Sequence, residues 1–286
     1  MAQDKFFRTN YTINCGGELI DLSQPSVMGI VNVTPDSFYG NSRAQSDSEL
    51  VDRSGQLLEE GAAFLDLGAY STRPDADEVT EQEEIDRMVP AVEAIVKAFP
   101  KAILSIDTFR SEVAKAAIHA GGHIVNDVAG GTLDENMFET VAQLQVPYIL
   151  MHMRGTPKTM QQLTDYENLT QDITFDLAAK VQHLRKIGVN DVIIDLGFGF
   201  AKSTAQNYEL MHNLEHFHML DCPILVGISR KSMIYKPLNI SPEKALHGTT
   251  VLNTIAIQKG AHILRVHDVE AAAHVIQIMH QMAEIS

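Results

Sequence analysis

Residues 27–38 read Val27-Met28-Gly29-Ile30-Val31-Asn32-Val33-Thr34-Pro35-Asp36-Ser37-Phe38. The apolar start, with β-branched Val27, Ile30 and Val31, predicts a short buried strand. It ends on a carboxamide, Asn32, and breaks into Thr, Pro, Asp and Ser, residues that form turns. A buried strand that delivers a polar side chain at its C-terminal end is the unit from which α/β barrels build active sites.

Seven more apolar, β-branched segments follow, at 64–68, 103–106, 124–126, 148–151, 192–196, 224–228 and 262–266. Amphipathic or alanine-rich helical stretches lie between most of them, among them 46–60, 81–98, 111–120, 169–187 and 242–259. Strand–helix alternation implies a parallel sheet, and eight units favour closure into a (β/α)8 barrel over an open doubly wound sheet. No GxGxxG follows the first strand, which removes the main dinucleotide-binding cue. Upstream, Asn14-Cys15-Gly16-Gly17 between two extended stretches reads as a hairpin, placed to cap the N-terminal face of the barrel. Two long loops, 32–45 and 69–79, are candidates for function. We read 1–286 as a single domain.

The 286 residues suit one such barrel. No apolar run approaches the roughly 20 residues of a membrane helix. The stretch 1–5 has no signal-peptide core, so the expected location is the cytoplasm. A net charge of −15 argues against a nucleic-acid surface. Cys15 and Cys222 have neither metal nor disulfide spacing. His212, His216 and His218 lack supporting carboxylates for a metal site.

The strand ends carry Asn32, Asp66, Asp107, Asn126 with Asp127, His152, Asp195, Ser229-Arg230-Lys231, and Arg265 with His267. These are expected to converge on one mouth. Asp107 and Asp195 follow strongly apolar strands, where a carboxylate is costly unless paired. Carboxylates and an amide accept hydrogen bonds, and a lysine donates. That set suits a flat heterocycle with adjacent N–H donors and a carbonyl. Arg265, His267, Arg73 and the Ser/Thr-rich loops suit an anion such as phosphate. The residues alone thus predict a heterocycle-plus-anion site, without naming a reaction.

Seven motifs, in order, resemble the dihydropteroate synthase family: MGIVNVTPDSF (28–38), STRP (71–74), SIDTF (105–109), IVNDVAGG (124–131), DLGFGFAKS (195–203), GISRKSMI (227–234) and RVHDV (265–269). The resemblance implies condensation of 6-hydroxymethyl-7,8-dihydropterin diphosphate with p-aminobenzoate to 7,8-dihydropteroate and diphosphate, in folate biosynthesis, with Mg²⁺ as cofactor and sensitivity to sulfonamides. It implies that Asp107, Asn126, Asp195, Lys231 and Arg265 bind the pterin. Asn32, Arg73, Arg265 and His267 would bind diphosphate, with Asn32 also a Mg²⁺ ligand. Thr72, Arg73, Pro74, Phe38, Phe200 and Ser232 would line the p-aminobenzoate pocket. Asp107, Lys231, Arg265 and Asn32 would carry the catalysis. A homodimer is implied as well. Two departures stand out: Gly68-Ala69-Tyr70 precedes STRP where the family usually has Gly-Gly-Glu, and Leu196 replaces the Pro of Asp-Pro-Gly.

Three rival readings remain. A methyltetrahydrofolate methyltransferase shares the Asp/Asn set but has no use for a diphosphate site. A Schiff-base aldolase barrel needs Lys231 deprotonated near neutral pH. A pterin-binding protein without catalysis is the non-enzyme alternative, set against the presence of both anion-site residues.

Overall fold

The computed structural model describes residues 11–33, 43–70 and 79–283, with backbone alone for 43–47. Its first element is the hairpin β1 (Thr12–Cys15) and β2 (Glu18–Asp21). Gly16 and Gly17 both sit at positive φ (64° and 94°), the conformation a tight two-residue hairpin turn requires.

Eight parallel strands then close a barrel: β3 (Ser26–Asn32), β4 (Phe64–Gly68), β5 (Ile103–Asp107), β6 (Ile124–Asp127), β7 (Tyr148–Met151), β8 (Val192–Asp195), β9 (Ile224–Val226) and β10 (Ile263–Val266), with β10 paired to β3. Helices α1 (Arg43–Glu59), α2 (Glu81–Ala98), α3 (Ser111–His119), α4 (Met137–Leu144), α5 (Leu169–Lys186), α6 (Thr204–His212), α7 (Ser232–Leu238), α8 (Leu246–Gln258) and α9 (Val269–Ala283) follow the strands. The expected strands are therefore all present, with ends moved by no more than two residues. The expected helix at 242–259 is split into a 3₁₀ turn, Pro242–Lys244, and α8. Among the described residues no helix is long and apolar enough to cross a membrane.

Side-chain alternation along each strand sorts the core. Leu65 and Leu67, Leu104 and Ile106, Ile194, Val226 and Leu264 face outward into the helix-packed cluster. The alternate residues Met28, Phe64, Ile124, Ile149, Ile193, Leu225 and Ile263 face inward and form the floor of the barrel with Ile13, Cys15 and Leu22 of the hairpin segment. The hairpin thus caps the bottom. It is pinned there by Asn14, whose backbone N–H donates to Asp191 Oδ2 at 2.9 Å ahead of β8. Burying this floor leaves the opposite, C-terminal end for polar groups. Two helices that begin at that end carry reciprocal capping boxes, Thr80–Glu83 on α2 and Ser203–Gln206 on α6.

Candidate active site

Two residues above the floor positions Phe64, Ile103, Ile124, Ile193 and Ile263, on the same inward face, come Asp66, Ser105, Asn126, Asp195 and Arg265, with Asp107 one inward step beyond Ser105. Their centre is Asp66. It is fully buried in mid-strand, not at a strand end. Both of its carboxylate oxygens accept from Asn126 Nδ2 at 3.1 Å, and Oδ2 also accepts from Arg265 Nε at 2.5 Å. Arg265 Nη2 donates to Asp107 Oδ2 at 2.6 Å. One guanidinium therefore bridges two carboxylates, and the Asn126 amide is turned so that its oxygen accepts no hydrogen bond among the described residues. Burial pushes the Asp107 carboxyl up to about 7, with Asp66 adding repulsion and Arg265 opposing the rise. The strand-end reading places Asp66 at the mouth but gives it no binding role. Its signal in the sequence is parity: it lies two residues after the inward Phe64.

Across the mouth, Asp195 is buried and its pKa is raised by desolvation, against the pull of Lys231. Its Oδ1 accepts from the Gly197 N–H at 2.8 Å, and among the described residues no donor reaches Oδ2. Gly197 has φ +67°, and a Cβ there would strike the His152 carbonyl. Leu196, in the place of the family's proline, is fully buried in the outer cluster. Lys231 donates to the Phe198 carbonyl at 2.6 Å and lies 4.7 Å from the Phe200 ring centroid. Burial lowers its ammonium to about 8, against the opposing attraction of Asp195. Ser232 follows Lys231 as the first residue of α7. Gly227 faces inward between Arg265 and Asp195, and Gly68 faces Asp107. Neither carries a side chain into the mouth, so space remains between the Asp195–Lys231 side and the Asp66–Arg265 side.

Two strand-end groups do not join this layer. Asp127 faces outward, where it accepts from the Tyr148 hydroxyl and from the N–H groups of Ala129 and Gly131 at 2.7 Å. His152 is buried against Lys202 Nζ at 3.1 Å, and desolvation followed by Lys202 lowers its imidazole to about 2. Lys202 also donates to the Gly197 and Phe200 carbonyls at 3.0 Å, tying down the loop that carries Phe200. Its own ammonium falls to about 7 through burial. Lys202, seven residues beyond Asp195, lies outside the strand ends that the sequence reading surveys.

At the rim, Asn32 and His267 line a common hollow of about 300 Å³. Asn32 is exposed. His267 lies just beyond the end of β10, and its backbone N–H donates to Ser229 Oγ at 3.2 Å. Its ring Nδ1 lies 3.2 Å from Ser229 Oγ, and desolvation together with Arg265 lowers its pKa. Arg230, at φ +55°, forms a two-pronged ion pair with Asp268 at 2.8 and 2.7 Å, which fastens the Ser229–Lys231 turn to the turn after β10. Tyr70, in the position of the family's glutamate, packs edge-on against Phe109 at 5.3 Å and beneath Arg110. Arg110 is itself paired with buried Glu84. Phe38, Thr72, Arg73 and Pro74 lie outside the described residues.

The sequence profile of the family described as "Pterin binding enzyme" matches residues 28–267. The chain is 41% identical over 261 residues to a dihydropteroate synthase of Haemophilus influenzae, covering 91% of this chain and 94% of the relative. It is 38% identical over 265 residues to the Escherichia coli dihydropteroate synthase, covering 92% and 93%. The Yersinia pestis dihydropteroate synthase, solved in a sulfonamide drug complex, superposes with a TM-score of 0.88 at 37% identity, over 96% of this chain and all of the other. The Xanthomonas albilineans enzyme with 4-aminobenzoic acid gives 0.87 at 36%, over 96% and 98%. Matches that span the whole barrel, mouth included, show that the chain belongs to the pterin-binding enzyme family and, within it, to the dihydropteroate synthases, transferases of folate biosynthesis.

Proposed function

We propose that the mouth performs dihydropteroate synthesis with the pterin held between the Asp195–Lys231 side and the Asp66–Asn126–Arg265 side. The observation that carries this is the acceptor-rich layer above a sealed apolar floor, with Gly227 and Gly68 leaving room for a flat ring. Asp195 accepts the amino and ring N–H groups of the aminopyrimidinone edge. Asn126 completes that edge with its amide oxygen. Lys231, which retains two donor hydrogens, serves the carbonyl and ring nitrogen.

The diphosphate lies at the rim on Asn32 and His267, with Arg73 and Arg265 in the same reading. Mg²⁺ would be held through one or two protein oxygens together with the substrate, and the exposed Asn32 amide, which makes no hydrogen bond among the described residues, would be such a ligand. When bound, the ion supplies positive charge to the departing diphosphate. The C–O bond between the pterin methylene and the diphosphate breaks, and its electron pair leaves on the diphosphate. The p-aminobenzoate nitrogen forms the new C–N bond and then loses a proton. Asp107, three strands from Asp195 and one inward step beyond Ser105, stabilises the positive charge on the methylene. No covalent enzyme nucleophile is required.

Phe200 and Ser232 flank Lys231 on the side assigned to p-aminobenzoate, with Phe38, Thr72, Arg73 and Pro74 completing the pocket. Sulfonamides, which resemble p-aminobenzoate in ring size and anionic edge, then compete with it. Cytoplasmic residence and a homodimeric state belong to the same reading; exposed Phe175 on α5 and Val251 on α8, away from the mouth, support the second. The test is a direct assay with pterin diphosphate, p-aminobenzoate and Mg²⁺. Dihydropteroate formation that disappears in Asp195→Asn is the expected result. A folded protein that makes no dihydropteroate overturns the reading.

A further inference from the structure

We propose that Arg53, on α1, is a cationic contact for the terminal phosphate of the pterin diphosphate. This rests on placing that anion at Asn32 and His267.

The reason is the allocation of charge around the mouth. Arg265 is already shared between Asp66 and Asp107, so that trio is net negative. Arg230 is committed to Asp268 through two hydrogen bonds. Lys231 is turned toward the Phe198 carbonyl and Asp195. The His267 imidazole has its pKa lowered by burial and then by Arg265. A diphosphate at this rim therefore meets hydrogen-bond donors but little uncommitted positive charge from these groups.

Arg53 supplies it. Its side chain lines the same hollow as Asn32 and His267, and among the described residues it is the one arginine or lysine in that lining. Its guanidinium is oriented by neutral acceptors: Nη1 donates to Gln56 Oε1 at 2.8 Å, and Nη2 reaches the His267 carbonyl at 3.4 Å. The nearest carboxylate pairing is a loose one, to Glu60 at 3.9 Å. The contact with the His267 carbonyl holds the cation beside the turn that presents the His267 ring. A guanidinium so held offers N–H donors in a fork that matches phosphate oxygens. Glu49, one helical turn earlier on α1, lines the same hollow and brings a negative charge to it.

That pairing of opposite charges defines a test with two signs. Arg53 and Glu49 are both exposed helix positions, so Gln at either leaves the fold intact. Binding of inorganic diphosphate to the full chain, measured by calorimetry in Mg²⁺ buffer, is expected to weaken about fivefold in Arg53→Gln and to tighten about twofold in Glu49→Gln, the range of exposed charge contacts. Both effects shrink as salt is raised. Affinity for a hydroxymethylpterin without diphosphate stays unchanged. In turnover, the KM for pterin diphosphate rises in Arg53→Gln while that for p-aminobenzoate does not, and Arg53→Lys recovers part of the loss. Unchanged diphosphate affinity in a folded Arg53→Gln overturns the assignment of Arg53. Failure of the unmodified protein to bind diphosphate, while it still binds the pterin, overturns the placement of the anion at this rim as well.

Discussion

Replacing Asp66 by Asn keeps the shape of the side chain and removes one charge at the centre of the inward polar layer. In the native arrangement Asp66 accepts from two donors on different strands, Asn126 Nδ2 and Arg265 Nε. An amide has one oxygen and one NH₂. Whichever way it turns, one of these donors meets another donor with no water to replace the lost acceptor, because Asp66 has no solvent exposure. Hydrogen bonds to charged groups contribute about 1.5–3 kcal/mol, and breaking one partner out of a buried ion pair costs about 3–5 kcal/mol. Arg265 keeps Asp107 as a second carboxylate, which places the expected loss near the lower end, about 3 kcal/mol. For a chain of this size that lowers Tm by roughly 6–12 °C. Urea denaturation measures the stability directly.

The same variant carries a second signature. The negative charge of Asp66 helps to hold the Asp107 pKa up, so its removal moves the acid limb of activity to lower pH. Loss of the Asn126 anchor weakens binding of a hydroxymethylpterin without diphosphate, read by calorimetry. An Asp66→Asn protein with stability within about 0.5 kcal/mol of the parent and undiminished pterin affinity would refute the claim that Asp66 organises this layer.

Asp195→Asn is expected to weaken pterin binding at least about tenfold, because it places a donor where the ligand edge needs an acceptor and forfeits charge-assisted bonds of about 1.5–3 kcal/mol each; unchanged affinity in calorimetry contradicts the pterin orientation. The rate profile for pterin diphosphate should be bell-shaped. Activity falls as pH drops below about 7, where Asp107 takes up a proton, and falls again above about 8, where Lys231 loses one; a flat profile from pH 6 to 9 removes these groups from the essential set. At the barrel floor, His262 Nδ1 accepts the Ile224 N–H at 3.0 Å and is held neutral, its pKa lowered by burial and then by His218 to about 4. The unfolded chain binds that proton near pH 6.5, so stability is complete above 6.5 and declines as pH falls toward 4, by about 3 kcal/mol in total for this group. His262→Asn, whose amide oxygen preserves the acceptor, should remove about one proton from the slope of stability against pH; an unaltered slope assigns the acid lability elsewhere.

The barrel was legible because each strand is a short apolar run closed by a polar residue, and eight such runs leave few other architectures. The seven-motif resemblance added the activity, and the relatives bear it out. Much less legible was which polar residue points where. Reading strand ends groups Asn126 with Asp127, although neighbours on a strand face opposite ways; counting from inward Ile124 puts Asn126 in the mouth and Asp127 against Tyr148. The same count, Phe64 then Asp66, places that carboxylate in mid-strand on the inward face, where a reading of strand ends sets it at the mouth without a binding role. What no local count supplies is the pairing of Asp66 with Arg265, 199 residues away. That contact exists because β10 closes onto β3, which pairs with β4, and closure is a property of the whole sheet.

Closure also changes what an arginine does. From sequence, Arg265 beside His267 looks like an anion site, since cations near a strand end stand ready for phosphate. In the folded chain the two part: Arg265 lies on the last inward position of β10, while His267 follows the strand into the turn. Two buried carboxylates, Asp66 and Asp107, need a cation more than the solvated rim does, because desolvation penalises an unpaired charge far more inside than outside. Arg265 meets that need with Nε and Nη2 and has Nη1 left to offer elsewhere. Diphosphate charge that Arg265 leaves unbalanced can then be met, beside Mg²⁺ and Arg73 of the proposed reading, by a rim cation whose hydrogen bonds go to neutral acceptors. Among the described residues of that hollow, Arg53 is such a cation, with only the loose pairing to Glu60 to draw on its charge.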